Sequence, residues 1–173
     1  MRNFLMLALA GLLAACSPEQ NWRQITLDGT ALKAQLPCKP DRTTREVPLG
    51  GVPVQLSVAG CESGDAMMAV MTASLAPGAD VQAVLQGWQQ ATLAHLGAAT
   101  PETQPWVRAG MLPLQAAQRI RVRGQTADGR AVFTQAVWGA FAEGDHVRVL
   151  HVVIHAPKPQ DELAQTLFEG VQP

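Results

Sequence analysis

The sequence predicts an α+β domain: a single antiparallel sheet covered by two helices. Two observations point there. β-rich runs come in hairpin-linked sets, turned at Gly50-Gly51, at Asp128-Gly129 and at Glu143-Gly144-Asp145. Helical periodicity runs from Val81 to Leu96 between the strand sets and returns from Gln160 to Glu169 at the end. The 173 residues suit one domain of ordinary size, and 47% hydrophobic with 16% charged residues exclude collagen, coiled coil and bulk disorder.

The elements follow in order. Thr30 to Leu36 reads as a strand stopped by Pro37 and Pro40. Thr43 to Leu49 and Val52 to Ala59 form a hairpin about Gly50-Gly51, which sets Thr43 opposite Val58. Gly64-Asp65 turns the chain into Ala66 to Leu75, which folds back on Val52 to Ala59. Asp80 is a good N-cap, and Val81, Val84, Leu85, Trp88, Thr92 and Leu96 recur at helical spacing until Gly97. Ala98 to Pro113 is an irregular connection with room for a short edge strand. Long strands are expected at Leu114 to Arg123, Arg130 to Ala142 and His146 to His155. A closing helix, Gln160 to Glu169, buries Leu163, Leu167 and Phe168.

The N-terminus reads as an address. Arg2 supplies a charged n-region and Phe4 to Leu13 a ten-residue apolar h-region, long enough for a secretory signal and too short to span a bilayer. It ends in Leu13-Ala14-Ala15-Cys16. This stretch resembles the lipobox of bacterial lipoproteins. The resemblance implies a signal peptide over residues 1–15, cleavage before Cys16 and acylation of that cysteine; a plain signal peptide is the alternative. Residues 16–21 become a lipidated tether and residues 22–173 the domain. Ser17 stands where that family's inner-membrane retention signal usually has Asp, which implies the outer membrane, facing the periplasm. The tether reaches at most ~18 Å.

Export would place Cys38 and Cys61 in an oxidising compartment. The Gly50-Gly51 hairpin sets them nearly opposite each other at its open end, so a disulfide is expected, with two buried free thiols as the alternative. Such a bridge would close a loop of ~24 residues, worth roughly 3 kcal/mol. The order of elements, with a strand ending in Leu36-Pro37 near the start and a Phe-bearing helix at the end, is similar to the PsbP-like α/β/α fold. That fold serves photosystem subunits, binding modules and bacterial lipoproteins, so it does not choose a function.

The chain carries few chemical motifs. With 13 basic and 14 acidic residues, a net charge of −1 leaves no footprint for nucleic acid. There is no G-x-S-x-G elbow, phosphate-binding loop, H-E-x-x-H, dinucleotide fingerprint or C-x-x-C pair. No catalytic residue and no cofactor is expected. His151 and His155 would share a helix face, but their β-branched surroundings make a strand, where four residues span ~13 Å, so no metal site is expected. Centring the next hairpin on Asp128-Gly129 sets Arg119 opposite Trp138, Arg121 opposite Ala136 and Arg123 opposite Thr134, with His151 opposite Trp138. That register collects Arg119, Arg121, Arg123, Trp138 and His151 on one face, away from a core of Ile120, Val122, Val137, Phe141, Leu150, Val152 and Ile154. The face is either half-solvated sheet or a surface for an anionic partner, since Arg forks suit carboxylates. The expectation is a non-enzymatic binding or scaffolding lipoprotein, held to the bilayer by acyl chains and meeting an envelope protein. The alternative is a small-molecule, anion or metal binder using that Arg/Trp/His face.

Overall fold

The structure, a computed structural model, describes residues 20–98 and 100–173. The lipobox with Cys16 and most of the tether lie outside the described residues. The elements are β1 (Arg23–Thr26), β2 (Lys33–Leu36), β3 (Asp41–Leu49), β4 (Val52–Ser63), β5 (Ala66–Leu75), α1 (Val81–His95), β6 (Glu102–Pro105), β7 (Gln118–Gln125), β8 (Ala131–Glu143), β9 (His146–Ala156) and α2 (Asp161–Glu169). Seven strands form an antiparallel sheet in the order β3-β4-β5-β9-β8-β7-β6. No helix among the described residues is long and apolar enough to cross a membrane.

The α+β class with two helices stands, but the sheet is not single. β1 and β2 pair with each other in a separate two-stranded ribbon. The predicted strand Thr30 to Leu36 shortens to β2, because Thr30 turns the ribbon instead, its hydroxyl donating to the Leu27 carbonyl at 3.0 Å. Four residues with one inward side chain, Ile25, gave β1 too little alternation to be read as a strand.

The two faces of the main sheet are both covered. On one, α1 lays Val84 and Leu85 against Leu56, Ala73, Ala136 and Trp138. On the other, α2 and the ribbon bury Leu163, Leu167, Phe168, Leu32 and Leu36 against Met68, Val70, Leu150 and Val152. Coverage on both sides explains why β8 carries ten consecutive buried residues rather than an alternating pattern. Asp80 caps α1, its carboxylate accepting from the Ala83 N–H at 3.0 Å. Gln82 and Gln89 then fix the helix to the chain before β7 through the Ala116 backbone.

The ribbon is held at several places. Arg42 of β3 donates to the Thr26 carbonyl at 2.8 Å and to the Asp28 carboxylate at 2.7 Å. Gln172 and Lys33 exchange backbone hydrogen bonds of 2.8 and 2.9 Å, tying the C-terminus to β2. Glu143 accepts from the Ala31 N–H at 2.7 Å and from Arg148, which donates onward to the Gly29 carbonyl. The Ala31 N–H and the Arg148 guanidinium hold the Glu143 carboxyl below the usual carboxylate range. Finally Cys38, just past β2, is joined by a disulfide to Cys61 of β4, with Cα atoms 6.0 Å apart. The predicted bridge is therefore present.

Candidate functional site

The residues singled out from the sequence do not share a face. β7 pairs with β8 so that Arg119 faces Val137, Arg121 faces Gln135 and Arg123 faces Phe133. That is one residue away from the predicted register, and a slip of one moves every side chain of a strand to the other side. The cause is the turn. Asp128-Gly129 does not make a two-residue loop: Thr126 and Arg130 flank a three-residue loop, Ala127-Asp128-Gly129, closed by Thr126 N–H to Arg130 carbonyl and Gly129 N–H to Thr126 carbonyl. Gly129 takes φ +80°, as the last position of such a loop requires.

The consequences are two corrections. Ile120 and Val122 belong to the α1 side of the core, not to the side of Val137 and Phe141. The arginines lie on the α2 side, while Trp138 and His151 lie buried beneath α1, at 0% and 3% exposure. The Arg row is engaged from within. Arg119 sits over the Phe168 ring, and Arg121 and Arg123 over Phe133, 5.3 to 5.7 Å from the centroids. Arg121 also spans from Asp161 of α2, at 3.2 Å, to Glu102 of β6, at 3.9 Å. These contacts dock α2 and β6 and engage part of the Arg121 fork from within.

A concave surface exists on the other face. α1 crosses only part of the sheet, and beside it β3, β4, β5 and β9 form a trough of about 570 Å³. Its floor follows from a row of small residues across the strands: Gly60, Ala69, Val153 and Ala136 are register partners in sequence. At Gly60 even a Cβ would come within 2.9 Å of the Met68 carbonyl oxygen, so the floor stays low there. Taller rows stand on both sides. Val58, Met71, His151 and Trp138 are partners on one, and Glu62, Met67, His155 and Thr134 on the other. Trp88 and His95 of α1 overhang the opening.

The first wall is an aromatic stack. The His151 ring lies parallel to Trp138 at 4.2 Å between centroids, and Trp88 meets it edge-on at 5.3 Å. His151 Nδ1 lies 3.2 Å from the Val137 carbonyl, which only a protonated Nδ1 can bond. Burial pushes its pKa down to about 3, so the ring is neutral in any ordinary buffer. In the second wall, His155 Nδ1 is 2.7 Å from the Thr134 hydroxyl, and burial followed by the charge of His95 pushes this imidazole down too. Met67 is 40% exposed, unusually open for a large apolar side chain. Beyond this wall a second cavity, of about 520 Å³, continues between Glu62, Arg130 and Val132.

The strand reading of His151 and His155 holds, and the two rings flank the trough rather than converge. Among the described residues no three His, Cys, Asp or Glu side chains gather as a metal site. The sequence reading missed the trough because β5 and β9 meet across more than seventy intervening residues, and no hairpin announces that pairing. The available signal was alternation: Met67, Ala69 and Met71 share one face of β5. No protein-family model matches this chain, and no curated protein shows significant sequence similarity to it.

Proposed function

We propose that this chain is a lipid-anchored binding domain of the bacterial envelope, with a PsbP-like α/β/α architecture and no catalytic activity of its own. Acylated Cys16 would hold it at the periplasmic face of the outer membrane, and the trough beside α1 would receive an apolar group of its partner. The trough is the observation that carries this reading. It is lined by Met67, Met71, Val58 and Trp88, side chains that offer adaptable apolar contact to a ligand. The disulfide supports an oxidising compartment, in keeping with the exported chain that the lipobox implies.

The test uses the full-length protein in detergent and a neutral fluorescent probe, N-phenyl-1-naphthylamine. The probe should brighten on binding and quench Trp88. Ala91, exposed on α1 at the rim of the trough, should abolish both signals as Ala91→Arg without unfolding the domain. Binding indifferent to Ala91→Arg rules out the trough. In cells, Cys16→Ala should move the protein from the membrane to the soluble fraction, and unchanged membrane association would refute the anchor.

A further inference from the structure

The trough and the second cavity beyond it share three lining side chains, Met67, His95 and His155. They form the neck where the two spaces meet. Met67 and His155 are direct cross-strand partners on β5 and β9, a relation that sets Cβ atoms about 5 Å apart. His95 arrives from above as the last residue of α1.

We propose that this neck is a binding site for one soft monovalent cation, Cu(I) or Ag(I), held by the Met67 sulfur and one nitrogen of each imidazole. The inference deepens the reading of the trough as a binding surface and rests on it for the choice of face.

The donor chemistry selects the ion. A thioether is a weak ligand for Zn(II), Mg(II) or Ca(II) and a good one for Cu(I), and imidazole serves copper equally well. A thioether and two imidazoles, which bind a metal through neutral lone pairs, bring no negative charge to the ion, and the walls are largely apolar. The cost of desolvating an ion rises with the square of its charge, so a neutral, half-buried donor set favours charge +1 over +2.

The imidazoles are prepared for the role. When His155 Nδ1–H donates to the Thr134 hydroxyl, at 2.7 Å, Nε2 keeps its lone pair for the neck. A hydrogen bond from the far nitrogen is the usual way a metal-binding histidine is oriented. The C-terminal end of α1 supplies the negative end of the helix dipole, which favours a cation there. Glu62, register partner of Met67, lines the second cavity together with Asp65 and Arg130, so charges of both signs stand on the approach.

The test is titration of untagged, full-length protein in detergent with Ag(I) by calorimetry. Cu(I) is followed by competition with bicinchoninate, using ascorbate so that the disulfide stays closed. One equivalent of each ion should bind. Met67→Leu and His95→Gln both alter exposed side chains, so both should fold. Each should weaken binding by more than about a hundredfold, the upper end of the loss usual for an outer-shell partner. X-ray absorption at the metal edge should show a sulfur neighbour that Met67→Leu removes. No binding by the parent protein, or unchanged affinity in either variant, overturns the site. Naphthylamine binding that survives alongside absent metal binding overturns the metal site alone. Metal binding that survives alongside absent naphthylamine binding overturns the apolar-trough reading alone.

Discussion

At the scale of single residues, the buried histidines make the domain sensitive to mild acid. His151 and His155 both titrate lower in the folded chain than in the unfolded one, His151 at about 3 and His155 in the same direction. Below the unfolded value of about 6.5, the unfolded state therefore binds protons that the folded state refuses. Stability is full above that pH and falls as pH drops, by up to ~1.4 kcal/mol per pH unit for each histidine. Urea midpoints measured from pH 7.5 to 5, above the range where carboxylates protonate, should decline steadily. A flat profile would mean that neither ring is shielded as its surroundings indicate. Arg121 makes the second residue-scale prediction. Held between Asp161 and Glu102, it should cost about 1 kcal/mol as Arg121→Glu, a cost that added salt reduces because the site is partly exposed. A neutral result in chemical denaturation would return Arg121 to the solvated surface. Alternating Arg with Ile and Val marked the strand correctly, but only the register decides which side each residue serves.

At the scale of elements, local signals were legible wherever a turn or cap sits beside the element it controls. Gly50-Gly51 sets the β3–β4 register as expected, with Thr43 opposite Val58, and β8–β9 brings Trp138 to His151 as expected. Asp80 starts α1 and the chain turns out of it at Gly97. Asp128-Gly129 failed because the dipeptide suits both a two-residue loop and the end of a three-residue loop, and these differ by one in register. The start of α2 was legible to within one residue, at Gln160, but its cap was not, because that cap comes from a distant strand. Gln160 makes no side-chain cap of its own. Gln135, buried in β8, accepts from the Gln160 N–H at 2.8 Å and donates to the Asp161 carboxylate at 2.9 Å. Gln135→Leu keeps the volume and removes both bonds, leaving a backbone donor and a carboxylate under-satisfied at the helix start. It should cost about 1–3 kcal/mol, and hydrogen exchange should quicken first in the opening turn of α2. Uniform exchange along the chain would mean the sheet does not cap this helix.

For the whole molecule, the disulfide decides how firmly the ribbon belongs to the sheet. β1 and β2 form no ladder with the seven-stranded sheet, so strand pairing does not hold them to it. Their attachments are the buried side chains of Ile25, Leu27, Leu32, Ala34 and Leu36, the Gln172–Lys33 bridge, the Arg42 contacts to Thr26 and Asp28, the Glu143–Arg148 contacts and the Cys38–Cys61 bond. The covalent tie crosses 23 residues of sequence and spans the whole β3–β4 hairpin. A loop of that size predicts roughly 3 kcal/mol from restricting the unfolded chain. Reduction should therefore lower the melting temperature and, in hydrogen exchange, expose β1 and β2 before the central strands β5, β9 and β8. The trough offers a comparison, because it opens on the α1 face and takes much of its lining from β5, β9 and α1, although Cys61 and residues of β3 border it too. If reduction releases the ribbon alone, naphthylamine binding should survive at temperatures where β1 and β2 already exchange freely. If probe binding and ribbon protection are lost together, the two faces unfold as one unit, and the bond stabilises the sheet rather than the docking of the ribbon upon it.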